Sequence, residues 1–182
     1  LPWHSFSTWQ RTVTLQGAPH EQETQELAVL PSLEVFKKGE NAMSTEENKT
    51  LIRRFYEEVF NKRNLAALDD FYAPEHVDHS LPPGLPAGPE GTKQAIATML
   101  EGFPDLHITL EDMIAEGDKV VIRFTTHGTQ QGTLGGISPT GKQVAVSTIE
   151  VTRIADGKIV EDWGLDDRLG MLQQLGLVPA MQ

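Results

Sequence analysis

Cysteine is absent from the 182-residue chain, which excludes disulfides, thiolate nucleophiles and zinc–thiolate sites and fits a reducing compartment. Long apolar runs are missing too. No stretch approaches the roughly 20 apolar residues needed to cross a bilayer, and no basic segment followed by an apolar one marks a secretory signal near the start. Positive charge is scarce: 15 Lys and Arg stand against 26 Asp and Glu, for a formal charge of −11. The longest basic runs are the pairs Lys37-Lys38 and Arg53-Arg54. Nucleic acid phosphates and anionic membranes are held by Lys and Arg, so neither is expected as a partner of so acidic a chain. A cytoplasmic location is expected.

What is present suffices for one domain with an appendage. Hydrophobic residues make up 38% of the chain, enough for an ordinary globular core. Residues 1–42 read differently from the rest, because Pro, Gly and polar residues interrupt a weak periodicity. They are expected to be an extension that is poorly ordered or not native to the domain; the other reading is a partner-binding arm carrying Trp3, Phe6 and Trp9. From Met43 onward (43–182) a single domain is expected.

Ser44 and Glu47 spell a capping box ahead of an apolar run. Leu51, Ile52, Phe55, Tyr56, Val59 and Phe60 then form one stripe, which predicts a helix over about Thr45 to Lys62. Asn64 is placed to cap a second short helix that Pro74 stops. A short extended piece, HVDHS, and a loop rich in Pro and Gly precede a third helix over about Pro89 to Gly102. After Pro104 the period becomes alternating. Strands are expected over His107–Glu116, Lys119 to about Gln131, Lys142 to Ile154, and Lys158 to about Trp163, with a closing helix near Asp167 to Leu175. Helices first and hairpin-linked strands afterwards is an α+β order, and such a sheet, strongly curved, would enclose a space.

The stretches EDMIAEGDKVVIRFTTHGTQQG, GISPTGKQV and RIADGKIVEDWGLDDRLGMLQQLG, with a first helix ending EEVFNKRN, resemble the SnoaL-like polyketide cyclases, also labelled ester cyclases, of the nuclear transport factor 2-like superfamily. The resemblance spans about Asn48 to Pro179. It implies a cystatin-like, cone-shaped α+β barrel: a curved antiparallel sheet with N-terminal helices packed on it, assembled as homodimers or homotetramers through sheet contacts. It also implies intramolecular aldol closure, or a related isomerisation, of a small hydrophobic carbonyl or ester compound, without metal or cofactor, by an acidic residue at the end of the last strand.

Counting from Asp156-Gly157, the cyclases' catalytic Asp falls at Gly164, so the expected carboxylate is missing. Asp162 lies two residues earlier and, on a regular strand, points to the same face; Asp166 lies two residues later. The catalytic reading therefore takes Asp162 first and Asp166 second. The opposing reading has Asp162 solvated and Asp166 capping the last helix. Val144, Val146, Thr148 and Glu150 share one face, which should line the cavity. Glu150 is then a second acid/base or a hydrogen-bond partner of Asp162, two neighbouring carboxylates pushing one pKa upward; otherwise it is half of an ion pair on a wet face.

Substrate contacts are expected from Thr148 and Trp163, from Gln130 where relatives carry His, and from Asp78 or His79 at the rim. Arg123 is read as pairing with Glu150 or another sheet carboxylate, or as holding an acidic substrate group. His76, Asp78 and His79 in EHVDHS could supply metal ligands, but no converging set supports them and no metal is expected. Two competing functions remain. One is a non-catalytic small-ligand module, favoured by Gly164 and Gln130. The other is an epoxide-hydrolase-like enzyme using Arg123 with Asp162.

Overall fold

The capping box opens the first helix as the sequence predicts. Ser44 Oγ accepts the Glu47 N–H at 3.2 Å and Glu47 Oε2 accepts the Ser44 N–H at 2.7 Å, satisfying two of the helix's orphan donors. The computed structural model describes residues 43–179. The readings made for residues 1–42 lie outside them. The first helix is not α-helical to its end: α1 spans Thr45–Phe55, and Tyr56–Asn61 continues it as a π-helix. The wider turn keeps Tyr56, Val59 and Phe60 buried while starting from Phe55, so the apolar stripe survives a change of pitch. Arg63, at φ 57°, breaks the helix, and its guanidinium donates to Leu100 O and Phe103 O at 2.7 and 3.2 Å.

The second helix is shorter than expected. A 3-10 turn at Leu65–Ala67 leads into α2, a single turn at Leu68–Phe71, and Asn64 makes no side-chain cap. Then follow β1 (Tyr72–Asp78), α3 (Pro89–Gly102), β2 (His107–Glu116), β3 (Lys119–Thr129), β4 (Gln143–Ala155), β5 (Lys158–Asp166) and α4 (Arg168–Gln174). Asp167, not Asp166, caps α4, accepting the Gly170 N–H at 2.8 Å.

The five strands form one curved sheet in the order β1-β5-β4-β3-β2, with the helices packed on it. This is the expected α+β architecture of a curved sheet with helices packed on it, with two differences of detail. The sheet is not closed, and β1 joins β5 in parallel. A parallel pair needs a crossover rather than a hairpin, and the chain from α3 through β4 supplies it. Pro74 is tolerated because β1 is an edge strand, where one lost ladder donor costs little.

The core lies between helices and sheet. Ile52, Phe55 and Val59 on the helical side meet Val120 and Ile122 on β3 and Ile159 on β5, all buried. Each fully buried aliphatic side chain contributes roughly 1.5–3 kcal/mol. On the inner face the register aligns three cross-strand pairs of β4 and β5: Thr148 with Asp166, Glu150 with Gly164, and Thr152 with Asp162. Among the described residues no helix is long and apolar enough to cross a membrane.

Candidate active site

Between that inner face and the helices lies a cavity of about 600 Å³, the size of an ordinary small-molecule site. Most of its wall is hydrocarbon: Phe55 and Phe60 from the first helix, Ile96 and Met99 from α3, Phe124, Val144 and Val146 from the sheet. Polar groups enter chiefly from the sheet and the loop after β1. They include Asp78, Ser80, Thr148, Glu150, Asp162 and Asp166, joined by Tyr56 and Tyr72. The alternation Val144, Val146, Thr148, Glu150 does line the cavity.

Glu150 sits at its polar end. Its Oε1 accepts the Tyr56 hydroxyl at 2.9 Å and the Thr152 hydroxyl at 3.2 Å. Burial pushes its carboxyl up to about 8, the nearby Asp162 carboxylate adds to the rise, and the two hydroxyl donors oppose it. The group therefore keeps its proton at neutral pH. Tyr56 is raised as well, first by burial and then by Glu150.

Asp162 is 7% exposed. Its Oδ2 lies 2.7 Å from His76 Nε2, and its Oδ1 is buried without a hydrogen-bond partner among the described residues. The His76 ring stacks on Tyr72, with centroids 4.1 Å apart and planes 25° from parallel. Asp78, opposite Asp162 in the β1–β5 register, accepts the Ser80 N–H at 2.7 Å. Burial raises its carboxyl above the ordinary range. The cluster thus holds three carboxyl groups and two phenols against a largely apolar wall.

A model of the SnoaL-like polyketide cyclases matches residues 50–175. The chain belongs to that family. It is 28% identical to nogalonic acid methyl ester cyclase of Streptomyces nogalater over 121 residues, which is 65% of this chain and 90% of that one. It is 29% identical to aklanonic acid methyl ester cyclase DnrD of Streptomyces peucetius over 132 residues, 69% of this chain and 88% of that one. Among solved structures, TsrD from Streptomyces laurentii superposes with a TM-score of 0.69 at 32% identity, covering 75% of this chain and 99% of its own.

Within the SnoaL-like frame, Gly164 is the notable position. A Cβ built there would lie 3.8 Å from Glu150 Oε2 and 3.2 Å from Ser80 Oγ. The position faces the acidic cluster, and the Ser80 hydroxyl lies against it, accepting the Gly164 N–H and donating to Gly164 O at 3.1 Å. Toward the C-terminal end of β5, Thr148 donates to Asp166 Oδ1 at 2.9 Å, and Arg168 Nε lies 3.7 Å from Asp166 Oδ2. Both Asp166 and Arg168 line the cavity from exposed positions.

Four residues expected at the substrate lie elsewhere. His79 and Trp163 stack on each other at 4.9 Å, with His79 Nε2 2.9 Å from Glu161 Oε1, and neither lines the cavity. One step along a strand reverses the face, so Trp163 points away from the side that Asp162 and Gly164 share. Arg123 does pair with a sheet carboxylate, but with Glu111 at 2.9 Å rather than Glu150, and it does not line the cavity that Asp162 lines. Gln130, 0% exposed, spends its amide on the loop that follows. Its Nε2 donates to Gly132 O and Ser138 O, and its Oε1 accepts from the Thr140 backbone and hydroxyl. It organises GTLGGISPTG and does not line the cavity.

Two residues were missed. Tyr56 belongs to the apolar stripe and reads as packing, yet its hydroxyl reaches a carboxylate 94 residues away. His76 was read only as a possible metal ligand; its partner Asp162 was hidden because the parallel β1–β5 pairing leaves no hairpin signal. With His76 turned to Asp162 and His79 to Glu161, the triplet in EHVDHS diverges.

Proposed function

We propose that this protein is an acid/base cyclase that closes a ring in a small hydrophobic carbonyl ester by intramolecular aldol reaction. One observation carries the reading: two inward carboxyl groups, Glu150 and Asp162, occupy the polar end of an apolar cavity, and Glu150 is raised to about 8. Such a pair supplies a proton acceptor and a proton donor at the same pH.

In the proposed reaction, the Asp162 carboxylate takes the proton alpha to the ester carbonyl and leaves an enolate. The enolate carbon attacks the acceptor carbonyl, forming the new C–C bond. The acceptor oxygen collects the proton from Glu150, steadied by Tyr56, and transfer of the first proton from Asp162 to Glu150 resets the site. No atom is gained or lost. The hydrocarbon walls hold the two reacting carbons together, which accounts for on the order of 7 kcal/mol in well-oriented cases. Asp78, Thr148 and Asp166 are assigned to substrate contact, with Asp166 no longer needed as the base.

The two esters named in the relatives serve as probes. Wild type incubated with nogalonic or aklanonic acid methyl ester is expected to give the ring-closed isomer, detected by chromatography at unchanged mass. Glu150→Gln and Asp162→Asn should each lower kcat by about 100-fold or more. Turnover by Asp162→Asn at the wild-type rate would remove the proposed base. An epoxide-hydrolase-like mechanism has lost its support, since Arg123 serves Glu111. We further place the enzyme in the cytoplasm, on the absence of cysteine, and as a homodimer or homotetramer, on the apolar side chains Ile114, Val121, Ile149 and Leu165 exposed on the sheet.

A further inference from the structure

Tyr72 lines the cavity from the start of β1 and takes no step in the reaction written above. We propose that it is a catalytic residue: its phenol donates a hydrogen bond to the substrate's ester carbonyl oxygen and stabilises the negative charge that gathers there when Asp162 removes the alpha proton. This rests on the acid/base reading of the site.

The hydroxyl is uncommitted and open. Among the described residues, the buried side-chain oxygens and nitrogens without a partner are Asn48 Oδ1, His76 Nδ1, Thr92 Oγ1 and Asp162 Oδ1. The Tyr72 hydroxyl is not one of them, although it too has no hydrogen-bond partner among those residues. An unpartnered oxygen that is not sealed off borders open space, and the space that the buried Tyr72 side chain borders is the cavity. The charges that act on the phenol place it at the acidic end. They are Asp162 first, then Glu150 and Asp78, and all three line the cavity.

Other hydroxyls of the wall are committed or remote. Tyr56 donates to Glu150, Thr148 to Asp166, and Ser80 to Gly164 O. Thr98 donates to Gln94 O on its own helix. Thr126 pairs with Val146, four residues along β4 from Glu150, a separation of about 13 Å along the strand. Tyr72 is left as the donor beside the carboxyl cluster.

Its ring is held on two sides. It lies on His76 with centroids 4.1 Å apart and meets Phe55 edge-on at 5.5 Å. A donor fixed in this way needs no reorganisation as charge develops. Packing accounts for the ring and not for the oxygen. A buried phenol ordinarily finds a partner, and Phe fills the same place without an unpaired hydroxyl. Burial and the neighbouring carboxyls raise the phenol well above its ordinary pKa, so it donates and does not act as a base. Tyr56 thus serves the proton donor Glu150, and Tyr72 serves the oxygen next to the carbon that Asp162 deprotonates. The phenol keeps its proton throughout. Formation of the C–C bond returns the enolate oxygen to a carbonyl, and no atom is gained or lost.

The test uses the full chain, the same two methyl esters and Tyr72→Phe, which removes one oxygen and keeps the ring between His76 and Phe55. The variant is expected to lower kcat by about 100-fold or more, the loss typical of a missing oxyanion donor, while KM changes by less than about threefold. Wild-type kcat in this variant overturns the proposal. A second readout needs binding alone. With carbon-13 in the ester carbonyl, the infrared stretch of the bound ester is expected at lower frequency in wild type than in Tyr72→Phe. An identical band in the two overturns the proposal, and if wild type still closes the ring the cyclase reading stands without it. If wild type binds an ester but leaves it open, the cyclase reading fails and the carbonyl band decides by itself whether the phenol reaches that oxygen. If neither ester binds, both fall. Should Tyr72→Phe not fold, wild type carrying carbon-13 at tyrosine Cζ decides by NMR: the Tyr72 resonance is expected to move when ester is added, and an unmoved one overturns the proposal.

Discussion

At the scale of single residues, Glu150 couples stability, and with it the proposed activity, to pH. Its carboxyl holds a proton up to about 8 in the folded chain and releases it near 4.5 when unfolded. Between those values the native state binds more protons, so stability falls as pH rises from about 4.5 to about 8 and levels off above. Glu150→Gln should flatten this slope, measured as Tm across that range, and a variant that kept the wild-type slope would assign it to other groups. Tyr56→Phe tests the same carboxyl from its partner. The phenol bond lowers Glu150 against the effect of burial, so its loss should move the alkaline limb of the rate profile further up. The lost hydrogen bond costs about 1 kcal/mol in denaturant unfolding. The inward face of Glu150 was legible because β4 alternates without interruption from Val144 to Glu150. The phenol was not. Nothing local distinguishes a tyrosine that packs from one whose ring packs while its oxygen reaches across the core.

At the scale of elements, the start of the first helix was easier to read than its interior. Ser44 and Glu47 satisfy each other's backbone donors, and Ser44→Ala should cost about 1 kcal/mol by chemical denaturation, the ordinary worth of an N-cap. A loss near zero would mean that tertiary contacts alone hold the first turn. The switch to π geometry at Tyr56 leaves no such mark, because periods of 3.6 residues and slightly more cannot be separated over six positions. The strand β1 was legible only as an extended piece, since one edge strand with a proline carries neither alternation nor a turn partner. That gap explains the misplaced contacts. Without the parallel register, His79 could not be assigned to the face of Glu161, nor His76 to that of Asp162.

For the whole molecule, the α+β order was readable from the change of period at Pro104, while closure of the sheet was not, because pairing between distant edges has no sequence signature. The exposed side of the sheet carries Ile149 and Leu165 as a cross-strand pair, Leu165 being 77% exposed. If copies associate through this side, Leu165→Lys should lower the mass measured by light scattering to that of one chain and leave the circular dichroism unchanged. An unaltered mass would exclude this side as the contact. With 26 acidic residues against 15 basic ones, the association should be strengthened by salt, which screens like charge.

The parallel pairing of β1 with β5 also sets the order in which the site can come into being. His76 and Asp162 are separated by 86 residues and Tyr56 and Glu150 by 94, so these contacts close among the largest loops in the chain and belong to the slow, late part of folding. On the ribosome, a nascent chain that has emerged through β4 has its floor and walls but leaves the β1 imidazole without an acceptor. Emergence of β5 then brings Asp162 to His76, so the proposed acid/base site comes together in one event.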